Sequence, residues 1–86
     1  MKLLLCLNCN DVFSLSSQLK KCSCGKTKGQ YMDNINAIYE GESALPLGIS
    51  NTSLKDAVLN QPDRGMGKEF IAFTIPRDCP TFIKKE

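Results

Sequence analysis

Four of the five cysteines in this 86-residue chain fall in two close pairs near its beginning. Two residues separate Cys6 from Cys9, and one residue separates Cys22 from Cys24. A chain of this length buries a small share of its surface, so its apolar core needs support from a cross-link or a metal. Cysteine pairs at such spacing can direct four thiolates at one tetrahedral ion. The pairs therefore predict that the first third of the chain folds around a single metal ion.

Zinc is the ion that we expect between these cysteines. Four thiolates satisfy its tetrahedral preference and leave no open position for water, so the expected site is structural rather than hydrolytic. Asn10 and Gly25 follow the two pairs, where a metal knuckle turns sharply and favours left-handed backbone. The second pair is one residue shorter than is usual. Iron, a redox-active dithiol or buried cysteines without a metal are the alternatives.

The composition predicts a soluble protein of a reducing compartment. Apolar residues make up 42% of the chain, and the three consecutive leucines before Cys6 are too few for a signal peptide or a spanning helix. We therefore expect a cytoplasmic protein without a membrane partner, in which close cysteine pairs bind metal more often than they form disulfides. The fifth cysteine, Cys79, is expected to pack as a small apolar residue. A substitute metal ligand and a functional thiol are its alternatives.

The apolar pattern predicts a β-rich α+β fold in a single domain, residues 1–86. Residues 1–32 are expected to form its zinc-binding part, with short strands around the cysteines, and residues 33–86 its β-strand and helix part. In the second part, Ile35, Ala37 and Tyr39 alternate along one face of a predicted strand. Residues 45–49 contain a proline and a glycine, which favour an edge strand or an extended loop.

Two further elements are predicted towards the end of the chain. The polar run 50–53 offers N-caps for one short helix over residues 53–60, which Pro62 brings to an end. Residues 70–75 are apolar on both faces of an extended chain, a pattern typical of a well-buried strand.

Two cysteine motifs carry a family resemblance, Cys6-Leu7-Asn8-Cys9-Asn10 and Cys22-Ser23-Cys24-Gly25. They resemble the knuckles of the zinc-ribbon (rubredoxin-like knuckle) group, which implies a small zinc ribbon continued here by a few antiparallel strands and the helix. With Pro46-Leu47-Gly48-Ile49 and Gly65-Met66-Gly67, the whole chain is similar to short uncharacterised zinc-ribbon-like proteins of bacteria and their phages. That group has no single function, so the resemblance implies no activity.

Positive charge is concentrated around the cysteines. Residues 1–32 hold five lysines and one aspartate, a net charge of +4, whereas residues 33–86 hold six basic and eight acidic side chains, a net charge of −2. Clustered lysines attract phosphate groups, and the glycines within 64–68 let backbone amides approach an anion. A solvated basic face and a tight turn are the plainer interpretations. The residues expected to bind a phosphate-bearing ligand are Lys20, Lys21, Lys26, Lys28, Arg64 and Lys68.

Histidine is absent, which removes the commonest general base and a typical ligand of catalytic zinc. We therefore expect a protein that is not an enzyme and that binds nucleic acid or a soluble nucleotide, with Phe13 and Tyr31 as stacking surfaces. One alternative is a zinc-stabilised adaptor that docks Leu45-Pro46-Leu47 on a protein partner or on a second copy of the chain, as a homo-oligomer. The other alternative is an enzyme that works without histidine.

Overall fold

The computed structural model describes residues 1–85 of the chain. In chain order its elements are β1 (Lys2–Cys6), β2 (Val12–Ser14), β3 (Lys20–Lys21), β4 (Lys28–Tyr31), β5 (Ala37–Glu40), β6 (Ala44–Ile49), α1 (Asn51–Leu59), β7 (Ala72–Thr74) and β8 (Phe82–Lys84). The fold is therefore α+β and rich in β-structure, as predicted. The helix found in residues 1–85 is too short and too polar to cross a membrane.

The strands form two four-stranded sheets. The first sheet has the order β2-β1-β6-β7 and is antiparallel throughout. The second has the order β3-β4-β5-β8, and its β5–β8 pair is parallel, which differs from the expected antiparallel continuation. Each sheet combines strands from residues 1–32 with strands from residues 33–86. The cysteine segment is thus built into both sheets rather than folded as a separate ribbon.

The two sheets enclose a small apolar core. Leu4 of the first sheet packs with Ala37, Tyr39 and Phe82 of the second, and Leu15 joins them from the loop after β2. The rings of Tyr39 and Phe82 meet edge to face, with centroids 4.9 Å apart. Ala37 and Tyr39 therefore share one face of β5, as predicted, and this face lies against the core. The prediction that Ile35 belongs to the same strand face is wrong, because Ile35 precedes β5 and is 63% exposed.

Strand β6 lies inside the first sheet, although its proline predicted an edge strand or a loop. Pro46 lies opposite Leu4 of β1, and on its other side its carbonyl accepts a hydrogen bond from Ile75 N at 2.9 Å. The backbone position of the missing N–H therefore faces β7, where the regular pairing of β6 with β7 has already ended at Leu47. In this register Ile75 lies opposite Pro46, so the proline loses one hydrogen bond, the one that an N–H at residue 46 would donate to Ile75 O. An interior proline is tolerated here because this single loss falls at the end of the ladder. Leu45-Pro46-Leu47 is consequently a paired strand and not a docking loop.

The prediction of a well-buried strand over residues 70–75 is wrong. The strand found there, β7, is short, and all three of its residues are exposed. It lies at the edge of the first sheet and pairs with β6 alone. An apolar run is typical of a strand covered on both faces. Within residues 1–85, however, no strand pairs with the outer edge of β7.

Helix α1 begins two residues earlier than predicted and ends at Leu59, one residue before the predicted end, with Asn60 as its C-cap. Ser50 is its N-cap, and Ser50 Oγ accepts a hydrogen bond from Ser53 N at 3.4 Å. Ser53 Oγ donates to Ser50 O and accepts from Ile71 N, so this hydroxyl ties the helix to the segment before β7. Capping therefore accounts for Ser50 and Ser53 of the polar run 50–53, whose last three residues form the first turn of the helix.

The close approach of the sheets at Gly29 yields a stability prediction. A Cβ atom there would lie 2.7 Å from Leu4 Cδ1 and 3.0 Å from Leu15 Cδ2, whereas one at Gly67 would meet no atom within 4 Å. We expect Gly29→Ala to destabilise the protein by about 1–3 kcal/mol, the usual cost of overpacking a core. Gly67→Ala is the matched control and should have a much smaller effect. Urea denaturation at a fixed metal concentration measures the difference, and equal midpoints for the two variants would contradict this packing.

Candidate metal centre

Two hairpin turns bring the four paired cysteines together. Cys6 ends β1 and Cys9 lies in the turn before β2, while Cys22 follows β3 and Cys24 lies in the turn before β4. Because β1 and β3 belong to different sheets, the two turns connect the sheets at one end of the core. Asn10 and Gly25 follow them with φ angles of 61° and 78°. The left-handed backbone predicted after each pair is confirmed.

The sulfur atoms of Cys6, Cys9, Cys22 and Cys24 all lie within 4.8 Å of one another. Cys24 Sγ is 3.7 Å from Cys6 Sγ and 3.4 Å from Cys22 Sγ. A tetrahedral ion with metal–sulfur bonds of about 2.3 Å requires sulfur–sulfur distances of about 3.8 Å. The four cysteines are therefore positioned to hold a metal ion, and their spacing fits zinc. Cys79 is not part of this cluster, and it packs against the apolar core.

Polar contacts hold the two turns against each other. Asp11 Oδ2 of the first turn accepts hydrogen bonds from Ser23 N at 2.9 Å and from Ser23 Oγ at 3.1 Å in the second. Asn8 Nδ2 donates to Cys24 Sγ at 3.4 Å, which is a second link between the turns. Sequence reasoning missed Asn8 and Asp11. The available signal was their place within and directly after the first cysteine pair, where side chains can reach a metal ligand or the facing turn.

The pKa values of Cys22 and Cys9 are shifted in opposite directions. Burial raises the pKa of Cys22, but the Thr27 backbone N–H and the neighbouring thiols of Cys24, Cys6 and Cys9 lower it to about 6. At Cys9, backbone N–H groups lower the pKa, whereas burial and the thiols of Cys24 and Cys6 raise it, and the net direction is upward. The surroundings thus favour the thiolate at Cys22 more than at Cys9. A bound cation would displace the protons that remain on the cysteine thiols of the cluster.

Thr27 is fully buried beside the cluster. Its backbone N–H donates to Cys22 Sγ at 3.3 Å, and its backbone carbonyl accepts from Cys22 N at 2.9 Å. Thr27 Oγ1 completes no hydrogen bond of ordinary geometry within residues 1–85. The same hydroxyl is nevertheless the main cause that lowers the pKa of Cys6. A buried hydroxyl without a partner is costly, so a metal-bound thiolate at Cys6 would supply the acceptor that it lacks.

The structure does not gather all six basic residues that were expected to bind a ligand. Lys21 and Lys28 are cross-strand neighbours on β3 and β4, and Lys20 lies on the opposite face of β3 because it pairs with Gly29. Lys26 and Lys28 line one cleft of about 450 Å³ together with Glu40 and Glu42. Arg64 lies in an exposed loop, and Lys68 forms an ion pair with Asp56 at 2.7 Å. Ligand binding by these six residues stays a prediction.

The two aromatic residues proposed for stacking are engaged elsewhere. Phe13 and Tyr31 are half-buried and pack against the core cluster, and Tyr31 Oη accepts a hydrogen bond from Lys2 N at 3.2 Å. Much of each ring is therefore unavailable to a nucleic-acid base.

The orphaned hydroxyl of Thr27 leads to a prediction on metal affinity. We expect Thr27→Val, which keeps the shape of the side chain, to weaken metal binding by about 10–100-fold, as the loss of other outer contacts of metal ligands does. Thr27→Ser keeps the hydroxyl and should retain most of the affinity. Competition with a coloured chelator measures both constants. A valine variant that binds as tightly as the natural chain would show that the hydroxyl does not serve the site.

The chain matches no protein-family model, and it has no significant match among curated proteins or solved structures. Its resemblance to zinc ribbons therefore depends on the cysteine motifs and on the geometry of their four sulfur atoms.

Proposed function

We propose that the chain is a small non-enzymatic zinc protein that binds a phosphate-bearing ligand. In this proposal one Zn²⁺ is held by Cys6, Cys9, Cys22 and Cys24 and has a structural role. The observation that carries it is the approach of four thiols, from turns of two different sheets, to distances that suit a tetrahedral ion. A site in which all four positions are protein sulfurs supplies no place for a reacting water, which supports a role outside catalysis.

Zinc fits the small size of the core. Eight buried residues are apolar, and two of these, Cys6 and Cys22, belong to the metal cluster itself. A structural zinc ion contributes on the order of 10 kcal/mol of apparent folding free energy in small metal domains, which rivals the whole stability of a typical domain. The ion would thus supply the stability that this core lacks.

The outer face of the second sheet is the surface that we propose for the ligand. Lys21 lies opposite Lys28, and Lys28 lies opposite Glu40 on the next strand. Lys85 lines the same shallow depression as Lys28 and Glu40, a space of about 90 Å³. We call Lys21, Lys28 and Lys85 the lysine row. The row keeps two of the six basic residues expected from the sequence and adds Lys85.

Charge supports a ligand at the lysine row. Like charges directly opposite each other on neighbouring strands destabilise a sheet, so the pairing of Lys21 with Lys28 does not serve the fold. Glu40 offsets part of this charge, since Lys28 Nζ lies 3.9 Å from its carboxylate. An elongated anion such as a nucleic-acid backbone would contact the three ammonium groups in turn and relieve their repulsion.

The zinc proposal predicts one Zn²⁺ in each chain and loss of folded structure when it is removed. Native mass spectrometry gives the metal content, and circular dichroism during chelation with EDTA follows the unfolding. Cys22→Ser should abolish zinc binding, whereas Cys79→Ser, outside the cluster, should leave it intact. A chain that folds without metal, or one that retains iron instead, would contradict the assignment.

The ligand proposal predicts binding of single-stranded nucleic acid that weakens as salt rises. Each phosphate contact contributes about −0.7 to the logarithmic salt slope for single strands, so the lysine row should give a slope of about −2. Fluorescence anisotropy with a labelled oligothymidylate, titrated at several potassium chloride concentrations, measures this slope. Lys28→Ala should reduce it by about 0.7, and Glu40→Gln should tighten binding because it removes the opposing charge.

Lys55→Ala is the matched control for these variants. Lys55 is an exposed lysine of α1, on a different element from the lysine row, and its removal changes the net charge by the same amount. An equal loss of affinity for Lys55→Ala and Lys28→Ala would show non-specific attraction by net charge. A slope near zero would exclude phosphate contacts altogether.

A further inference from the structure

Strand β7 has an exposed backbone edge and exposed apolar side chains. Phe70, Ile71 and Phe73 are 45%, 62% and 50% exposed. Of the other three edge strands, β3 consists of two lysines and β8 ends in Lys84, charges that discourage pairing with a second chain, whereas β2 is an uncharged strand of three residues. The segment 70–75 contains no charged residue. It is therefore an unprotected edge, which natural proteins ordinarily cover.

The free backbone groups of this edge can be identified from its bonds to the rest of the sheet. Ile75 N donates to Pro46 O, and Ile71 O accepts from Ser50 N, each at 2.9 Å. Odd-numbered residues thus direct their backbone groups inward. Because successive residues of a strand alternate, Ala72 and Thr74 direct their N–H and C=O groups away from β6, towards the open edge.

We propose that two copies of this chain associate through β7, in antiparallel pairing about a two-fold axis at Phe73. In this register Ala72 of one copy exchanges both backbone hydrogen bonds with Thr74 of the other, and the symmetry repeats the exchange. Phe70 lies opposite Pro76 of the other copy, so the Phe70 N–H can donate to the Pro76 carbonyl, while Phe70 O receives no donor because proline has no N–H. The first sheets of the two copies, each with the order β2-β1-β6-β7, join into one continuous sheet of eight strands.

Charge complementarity selects both the occupant and the register. Pairing about Phe73 sets Glu69 of one copy opposite Arg77 of the other, twice by symmetry. The ion pairs among residues 1–85 are Lys28–Glu40 and Lys68–Asp56, so neither Glu69 nor Arg77 forms an ion pair with another of these residues. A shift by two residues would set Glu69 against Ile75 or Cys79. The charges that flank β7 are therefore complementary to those of a second copy in the register centred on Phe73.

Apolar contact accompanies the pairing. The Phe73 ring packs over Gly48 of β6, where a Cβ atom would lie 2.7 Å from the ring, and its remaining surface is open. On the two-fold axis the two Phe73 residues form a non-hydrogen-bonded pair, the arrangement in which facing side chains approach most closely. Each ring would cover the exposed part of the other.

The test is sedimentation equilibrium of the zinc-loaded full chain between low and high micromolar concentration, with charge-reversal variants. We expect a monomer–dimer equilibrium whose dissociation constant rises about tenfold or more in Glu69→Arg and in Arg77→Glu. The double variant should regain dimerisation, and so should an equimolar mixture of the two single variants, because each then meets an opposite charge.

Two further variants separate pairing from folding. Thr74→Pro removes only an outward N–H and should yield a folded, zinc-loaded monomer. Glu42→Arg reverses one exposed charge in the turn before β6 and should leave the dimer unchanged. A monomeric natural chain, a dimer that Thr74→Pro leaves intact, or single reversals that do not rescue each other when mixed would overturn the proposal.

Discussion

The contact between two hairpin turns at the four cysteines is the interaction on which the rest of the structure depends. The β1–β2 turn belongs to one sheet and the β3–β4 turn to the other, so a bond through this point fixes how the sheets face each other. The radius of gyration, 14.2 Å, exceeds the about 12 Å expected for a compact domain of this length. An elongated chain with a small core has few other contacts that could replace this one.

Local features of the chain were predictable from the sequence. The spacing of the cysteines and the left-handed positions Asn10 and Gly25 are properties of a few neighbouring residues, and so is the capping of α1 by Ser50. The pairing of strands is not local. The residues around Pro46 do not indicate that its missing N–H lies where the ladder to β7 ends. The parallel pairing of β8 with β5 likewise depends on residues more than forty positions apart.

The distribution of charge shows the same limit. An excess of lysine along residues 1–32 suggested a basic patch, but strand pairing decides which charges meet. It brings Lys28 beside Glu40 from the acidic part of the chain, and it separates Lys20 from Lys21 by turning them to opposite faces of β3. It also gives Lys68 a partner in Asp56. Net charge along a sequence therefore indicates attraction to anions in general, while the surface that binds them is set by the register of the sheets.

The apolar run at β7 illustrates a second ambiguity, because a strand covered on both faces and a strand that pairs with another molecule have the same composition. Here two of the four clustered cysteines, Cys6 and Cys9, and the open edge belong to one antiparallel sheet. Cys6 ends β1, β1 pairs with β6 along five residues, and β6 positions β7. Loss of the cluster would release β1 and, through β6, the strand at the edge. Order at the cysteines and order at β7 are therefore linked through this sheet, so a metal bound at the cysteines would raise the affinity of β7 for a partner that does not touch the metal.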